Sequence, residues 1–150
     1  MVTSPIQQPS TVTAMPHPRP ALPGDLRRLA RALATAPAEP RWREHMVGRL
    51  RPVRRGFAEH VRLTEGPAGL YAELLHQAPR LDRGVRLLAG EHTAITAAIA
   101  ALQHAVRLPS VPAEELREQA RNLLRALDRH RQRGADLLWE AYQADLGGED

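Results

Sequence analysis

The sequence predicts an all-α protein, an up-down-up-down four-helix bundle with a short first helix and a flexible N-terminal tail. Ala, Leu, Arg and Glu, which favour helices, dominate the 150 residues, whereas aromatic residues supply only 3%. Apolar residues recur at spacings of three and four along most of the chain, as on one face of a helix. Prolines and glycines separate these stretches and mark the turns.

The first 23 residues are predicted to be a disordered tail, and residues 24–150 a single helical domain. The tail holds six of the 13 prolines, among Ser, Thr and Gln, and has few apolar groups to bury. Asp25 is well placed to cap a short helix over Leu26–Ala36. Pro37 and Pro40 then predict the turn that follows.

Three longer helices follow in the sequence. The second is expected over Arg41–His76, with Pro52 and the Gly66-Pro67 pair kinking or briefly breaking it. The turn at residues 77–79 leads into a third helix, Arg80–Arg107. A Pro-rich connector at residues 108–112 precedes the last helix, Ala113–Leu146, which Gly147-Gly148 ends. Short turns between long helices favour the up-down arrangement.

Composition excludes several classes of function. All 21 basic residues are Arg, so a net charge of +4 raises the pI to about 10.8 without any basic cluster, and no nucleic-acid partner is expected. The absence of Cys excludes disulfides, thiolate zinc sites and iron–sulfur clusters. No run of 18 apolar residues predicts a membrane span, and no signal-peptide pattern opens the chain, so a cytoplasmic location is expected. No nucleophile arrangement favours a hydrolase. Enzymatic activity is left open, with a non-enzymatic role favoured.

Each of the three long helices carries one histidine in its apolar seam. Spacings of four and three place His92 in a row that is otherwise aliphatic, and His130 is the ionisable member of the corresponding row in the last helix. His60 interrupts the apolar row of the second helix in the same way. The remaining histidines in the helices, His45, His76 and His104, fall outside these rows.

The three seam histidines are predicted to lie in one layer. Antiparallel helices rise equally per residue, so residues equidistant from a turn lie at the same height. The midpoint of His60 and His92 is position 76, and that of His92 and His130 is position 111; both fall at predicted turns. Buried imidazoles must satisfy two ring nitrogens each, which a shared metal ion, a structural polar layer or a water-filled pocket would achieve.

At these residues the chain resembles the hemerythrin-like, or HHE cation-binding, family, over about residues 41–150. The likeness is carried by Phe57-Ala58-Glu59-His60, by Thr64-Glu65-Gly66-Pro67 with Gly69-Leu70-Tyr71, by Glu91-His92, by Leu127 through Arg133 around His130, and by Ala141 through Gly148. The last segment is similar to an actinobacterial branch of the family. The resemblance implies a four-helix bundle with two non-heme irons, which binds or senses oxygen or redox state or acts on nitric oxide and peroxide.

The ligand set that the family implies is degenerate in this chain. The first helix has no His, and Thr64, Thr96, Gly134 and Ala135 stand where ligands are usual. Two irons need bridging carboxylates, so a mononuclear site of three histidines, or an evolved loss of metal, is the expectation. Glu65 and Asp136 are candidate substitute ligands, and His17 is a further candidate near the same layer.

The site predicted from sequence is therefore a metal centre of His60, His92, His130 and Glu65. The cofactor is expected to be non-heme iron, mononuclear or lost, with zinc as an alternative. The expected function is binding of a small diatomic or peroxide ligand, or redox sensing, with no nucleic-acid or membrane partner and the protein partner unknown. The alternative is a metal-free helical bundle that serves as a ligand-binding or protein-interaction module.

Overall fold

The computed structural model describes residues 22–35 and 41–146, with side chains up to residue 143. This part of the chain is helical apart from short turns and contains no strand. The described residues form five α-helices: α1 (Leu22–Ala34), α2 (Trp42–Glu65), α3 (Leu70–Gln77), α4 (Asp82–Ala105) and α5 (Ala113–Leu146). A 3₁₀ turn, Pro79–Leu81, leads into α4. The prediction of an all-α fold is confirmed for these residues. The predicted tail, His17, Pro37, Pro40 and Gly147-Gly148 lie outside them.

The first helix begins four residues earlier than predicted, and Asp25 is not its N-cap. Pro23 falls in the first turn, where its missing N–H is not needed, so the helix extends back to Leu22. Asp25 then lies inside the first turn, buried, with its carboxylate 3.0 Å from the Arg28 guanidinium. An acidic residue there also interacts favourably with the helix dipole.

The two predicted interruptions of the second helix behave differently. Helix α2 continues through Pro52, because Leu50 and Val53 on either side are fully buried and hold the segment on the core. The Gly66-Pro67 pair does break the helix, so that α3 begins separately at Leu70. The last helix, Ala113–Leu146, has the predicted bounds.

Helix α2 lies at the centre of the packing. It contacts α1, α3 and α4, while α5 packs against α4 and touches α1. The end of α1 is bound by other elements: the Trp42 indole N–H donates to the Ala32 carbonyl at 3.1 Å, and Arg117 of α5 donates to the Leu33 carbonyl at 3.0 Å. These bonds satisfy carbonyls that a helix C-terminus would otherwise leave without partners.

The apolar core forms two clusters along the bundle. The larger contains the buried side chains of α1 and parts of α2, α4 and α5, including Phe57, Ile95 and Leu127. The smaller contains Tyr71 and Leu74 of α3 with Leu88 and Leu137. Every member of the seam predicted for α4 is buried, namely Leu81, Val85, Leu88, His92, Ile95, Ile99, Leu102 and Val106.

One stretch, Pro79–Ala105, is long and apolar enough by composition to cross a membrane. The stretch contains no uninterrupted run of 18 apolar residues, because polar residues such as Glu91 and His92 divide it. Its seam residues are buried against the other helices, and core helices of water-soluble proteins commonly meet the same compositional criterion.

Candidate metal centre

The imidazoles of His60, His92 and His130 meet in one layer between the two apolar clusters, as predicted. His92 and His130 are buried, and His60 is partly buried. The candidate ligand atoms of the three rings all lie within 4.8 Å of one another. Among the described residues, these three form the one group of His, Cys, Asp or Glu side chains that lie close enough together to hold a metal ion.

The three rings turn the same nitrogen towards a common point. His60 Nε2 lies 3.2 Å from His130 Nε2, and His92 Nε2 lies 3.0 Å from His130 Nε2. Two nitrogens bound to one zinc or iron at about 2.1 Å lie roughly 3.0–3.4 Å apart for right-angled to tetrahedral geometry. The observed nitrogen separations therefore fit a shared metal ion.

Carboxylates lie behind two of the rings. The Nδ1 atom of His130 is 3.3 Å from Glu91 Oε1, and the other oxygen of Glu91 is paired with Arg133. The Nδ1 atom of His92 is 3.5 Å from Glu65 Oε2, too long for a well-formed hydrogen bond, and it has no other partner in the described part of the chain. Because a carboxylate only accepts, it favours a hydrogen on Nδ1 and a bare lone pair on Nε2, as metal-binding histidines require.

This proton arrangement leaves His92 Nε2 and His130 Nε2 as two acceptors 3.0 Å apart. Such a contact is unfavourable unless a proton or a cation lies between the lone pairs. Burial, reinforced by the neighbouring His92 and His130, lowers the pKa of His60 to about 4. Burial also lowers the pKa of His92, and the adjacent His130 lowers it further, although Glu65 opposes both effects. Both rings are therefore neutral at pH 7, with lone pairs available for a metal ion.

Aromatic rings enclose the layer. Phe57, one turn before His60, lies with its ring centroid 5.7 Å from those of His60 and His92 and 6.0 Å from that of His130. Phe57 belongs to the larger apolar cluster and brings the edge of that cluster directly against the imidazoles. On the side of the smaller cluster, the Tyr71 ring stacks on His92, and its hydroxyl donates to His92 Nε2 at 3.2 Å. Burial raises the pKa of Tyr71, so that this hydroxyl carries its proton at pH 7.

The structure brings together three of the four ligands predicted from sequence. Glu65 lies on the Nδ1 side of His92, outside the group of converging nitrogens. Asp136 is exposed and accepts a hydrogen bond from Gln132 at 3.0 Å, away from the layer. His45, His76 and His104 are exposed, as their positions outside the seams predicted.

In the sequence, Glu91 and Tyr71 belong to the motifs that carry the family resemblance, but neither was predicted to contact the histidines. Glu91 precedes His92 in sequence, yet its carboxylate reaches a ring on another helix, so spacing along α4 gives no sign of the contact. Tyr71 lies in α3, beyond the break in the predicted second helix, and outside the seams that were traced. The scarcity of aromatic residues could have drawn attention to Tyr71, because the chain has only two tyrosines.

No known protein family, no curated protein and no solved structure matches this chain, so the arrangement of its own side chains carries the functional conclusion.

Proposed function

We propose that this protein is a hemerythrin-like, up-down-up-down bundle that binds one non-heme metal ion through His60, His92 and His130. Iron is the proposed ion and zinc the alternative. What supports the proposal most is the convergence of three Nε2 atoms, two of them only 3.0 Å apart, with carboxylates behind two of the rings. Imidazole is a common ligand for both ions, and acceptor oxygens behind it increase its basicity.

The role proposed for the site is binding of a small molecule such as oxygen, nitric oxide or peroxide, or sensing of redox state in the cytoplasm. Three protein ligands leave further positions of an iron free for a small molecule. A Cβ atom at Gly134, one turn after His130, would meet no atom within 4 Å, so this side of α5 leaves space. Iron would supply the affinity for the small molecule, while Phe57 and the apolar clusters restrict water around the imidazoles.

The deciding experiment is the metal content of the untagged protein. We expect elemental analysis after anaerobic iron loading to give one iron per chain. His92→Ala should abolish binding, because His92 is buried and its Nε2 atom lies 3.0 Å from that of His130, the shortest separation within the trio. His104→Ala is the matched control, since His104 lies on the same helix but is exposed.

Partly buried His60 provides a second test that disturbs the core less. His60→Ala should also lose iron while its circular dichroism remains helical. Iron-free wild-type protein after loading would refute the proposal, and two irons per chain would require a di-iron centre instead. For the ligand, we expect the ferrous protein to take up one nitric oxide per iron in an anaerobic titration followed by electron paramagnetic resonance.

The second candidate function is a metal-free binding module whose histidines form a polar layer. The observation that favours it is the same 3.0 Å separation, which also suits a proton shared between His92 and His130. Glu91 beside His130 would compensate the added charge. This candidate predicts that neither iron nor zinc raises the thermal transition of the protein, whereas the metal site predicts that both do.

A further inference from the structure

We propose that the phenolic oxygen of Tyr71 is a fourth donor of this centre and binds the metal as phenolate, giving a site of three nitrogens and one oxygen. The inference deepens the proposed function and rests on it. The Tyr71 hydroxyl lies 3.2 Å from His92 Nε2. The Nε2 atoms of His60 and His130 are the same distance apart.

The hydroxyl also lies on the correct side of the imidazole. Tyr71 reaches His92 at Nε2, the nitrogen that faces the other two rings. Glu65 approaches the same ring at Nδ1, and Glu91 approaches His130 at Nδ1. Of Tyr71, Glu65 and Glu91, Tyr71 is therefore the one whose oxygen lies beside the converging Nε2 atoms.

The position of Tyr71 is held by the fold. Its side chain is only 7% exposed, its ring stacks on His92 with an angle of 14° between the planes, and it packs in the smaller apolar cluster. The turn from Gly66 to Gly69 leads directly into α3, in which Tyr71 is the second residue. A donor fixed in this way loses little conformational freedom when it binds a metal.

Charge favours the same assignment. Three neutral imidazoles place no negative charge at the metal itself, and the Glu65 and Glu91 carboxylates lie behind the rings, one imidazole further away. A phenolate would add one negative charge at the metal, and oxygen donors suit iron and zinc. On binding, the metal–oxygen bond forms, the phenolic O–H bond breaks and the proton leaves to solvent, while the oxidation state of the metal is unchanged.

The test uses colour, because iron(III) bound to phenolate absorbs visible light by charge transfer. The protein is loaded anaerobically with ferrous iron, oxidised with ferricyanide and desalted. We expect wild type to show a visible charge-transfer band and resonance-enhanced phenolate ring vibrations. Tyr71→Phe should lose both while it keeps its helical circular dichroism. Tyr142→Phe is the control, since Tyr142 is the second tyrosine of the chain and is 69% exposed.

Zinc gives a second readout that does not depend on iron chemistry. In competition with a chromophoric chelator, Tyr71→Phe should bind zinc about tenfold or more weakly than wild type, and Tyr142→Phe equally well. A wild type that binds iron but shows no band, or a band that persists in Tyr71→Phe, would overturn the assignment of Tyr71 alone. A wild type that binds no metal would overturn the metal centre as well.

Discussion

At the scale of single residues, the same dipeptide plays different parts in this chain. Glu59-His60 and Glu91-His92 both place a glutamate before a seam histidine. The Glu59 carboxylate is exposed and pairs with Arg62 one turn later at 2.5 Å. The Glu91 carboxylate instead crosses to α5, where it accepts from His130 and pairs with Arg133. Helix packing, and not local sequence, therefore decides which glutamate serves the site.

We expect Glu91→Gln to lower metal affinity roughly 10–100-fold, the usual range for the loss of a partner behind a ligating histidine. The amide keeps the shape of the side chain but removes the charge and weakens its acceptor for Nδ1. Competition with a zinc chelator measures the change. Glu59→Gln is the control and should bind as wild type does. Equal affinities of the two variants would show that Glu91 has no part in positioning His130.

At the scale of elements, the turn between α2 and α3 is closely packed around Gly69. A Cβ atom at Gly69 would lie 2.7 Å from the Thr64 carbonyl oxygen and 2.8 Å from that of Leu63. Rigid backbone on both sides leaves no room for a side chain. The φ angle of Gly69 is −82°, so the need for glycine is one of space and not of unusual conformation.

Gly69→Ala should therefore destabilise the protein by about 1–3 kcal/mol, the typical cost of overpacking, and shift Tyr71 away from His92. Urea denaturation followed by circular dichroism measures the free energy of unfolding. Gly48→Ala is the control, because a Cβ atom there would meet no atom within 4 Å, and alanine favours a helix interior. We expect that control to be as stable as wild type or slightly more stable.

Sequence periodicity predicted the seams and the histidine layer but not the carboxylates and tyrosine around them. The seams can be predicted because aliphatic residues recur at helical spacing, and a histidine among them is easily recognised. The layer follows from equal rise along neighbouring helices, a property of the backbone. The contacts of Glu91 and Tyr71 depend on side-chain directions across helices. Helix α1 begins earlier than predicted because Pro23, which the composition assigns to the tail, fits in the first turn of a helix.

At the scale of the whole molecule, a layer of buried imidazoles makes the metal-free protein sensitive to acid. The folded pKa of His60 is about 4, below the value near 6.5 of an exposed histidine. Between these values the unfolded chain binds more protons than the folded one, so stability is lost as the pH falls through this range. The lowered pKa of His92 acts in the same direction.

We expect the metal-free protein to lose stability between pH 7 and pH 5, and His60→Gln to lose less over the same interval. Urea unfolding at both pH values in the presence of a chelator measures this. His104→Gln, an exposed position, should keep the slope of wild type. A wild-type slope in His60→Gln would contradict the assignment of the proton uptake to the layer.

The histidine layer also determines how the core can open. It separates the larger apolar cluster from the smaller one, which contains side chains of α3. Each cluster is therefore a separate packing unit of the bundle, and the imidazoles lie between the two. We expect amide hydrogens at the smaller end to exchange first, as a sub-global opening reaction. An ion bound by α2, α4 and α5 together would couple the two units, so that they open together. Binding of the ion would then slow amide hydrogen exchange in the smaller unit, which contains α3.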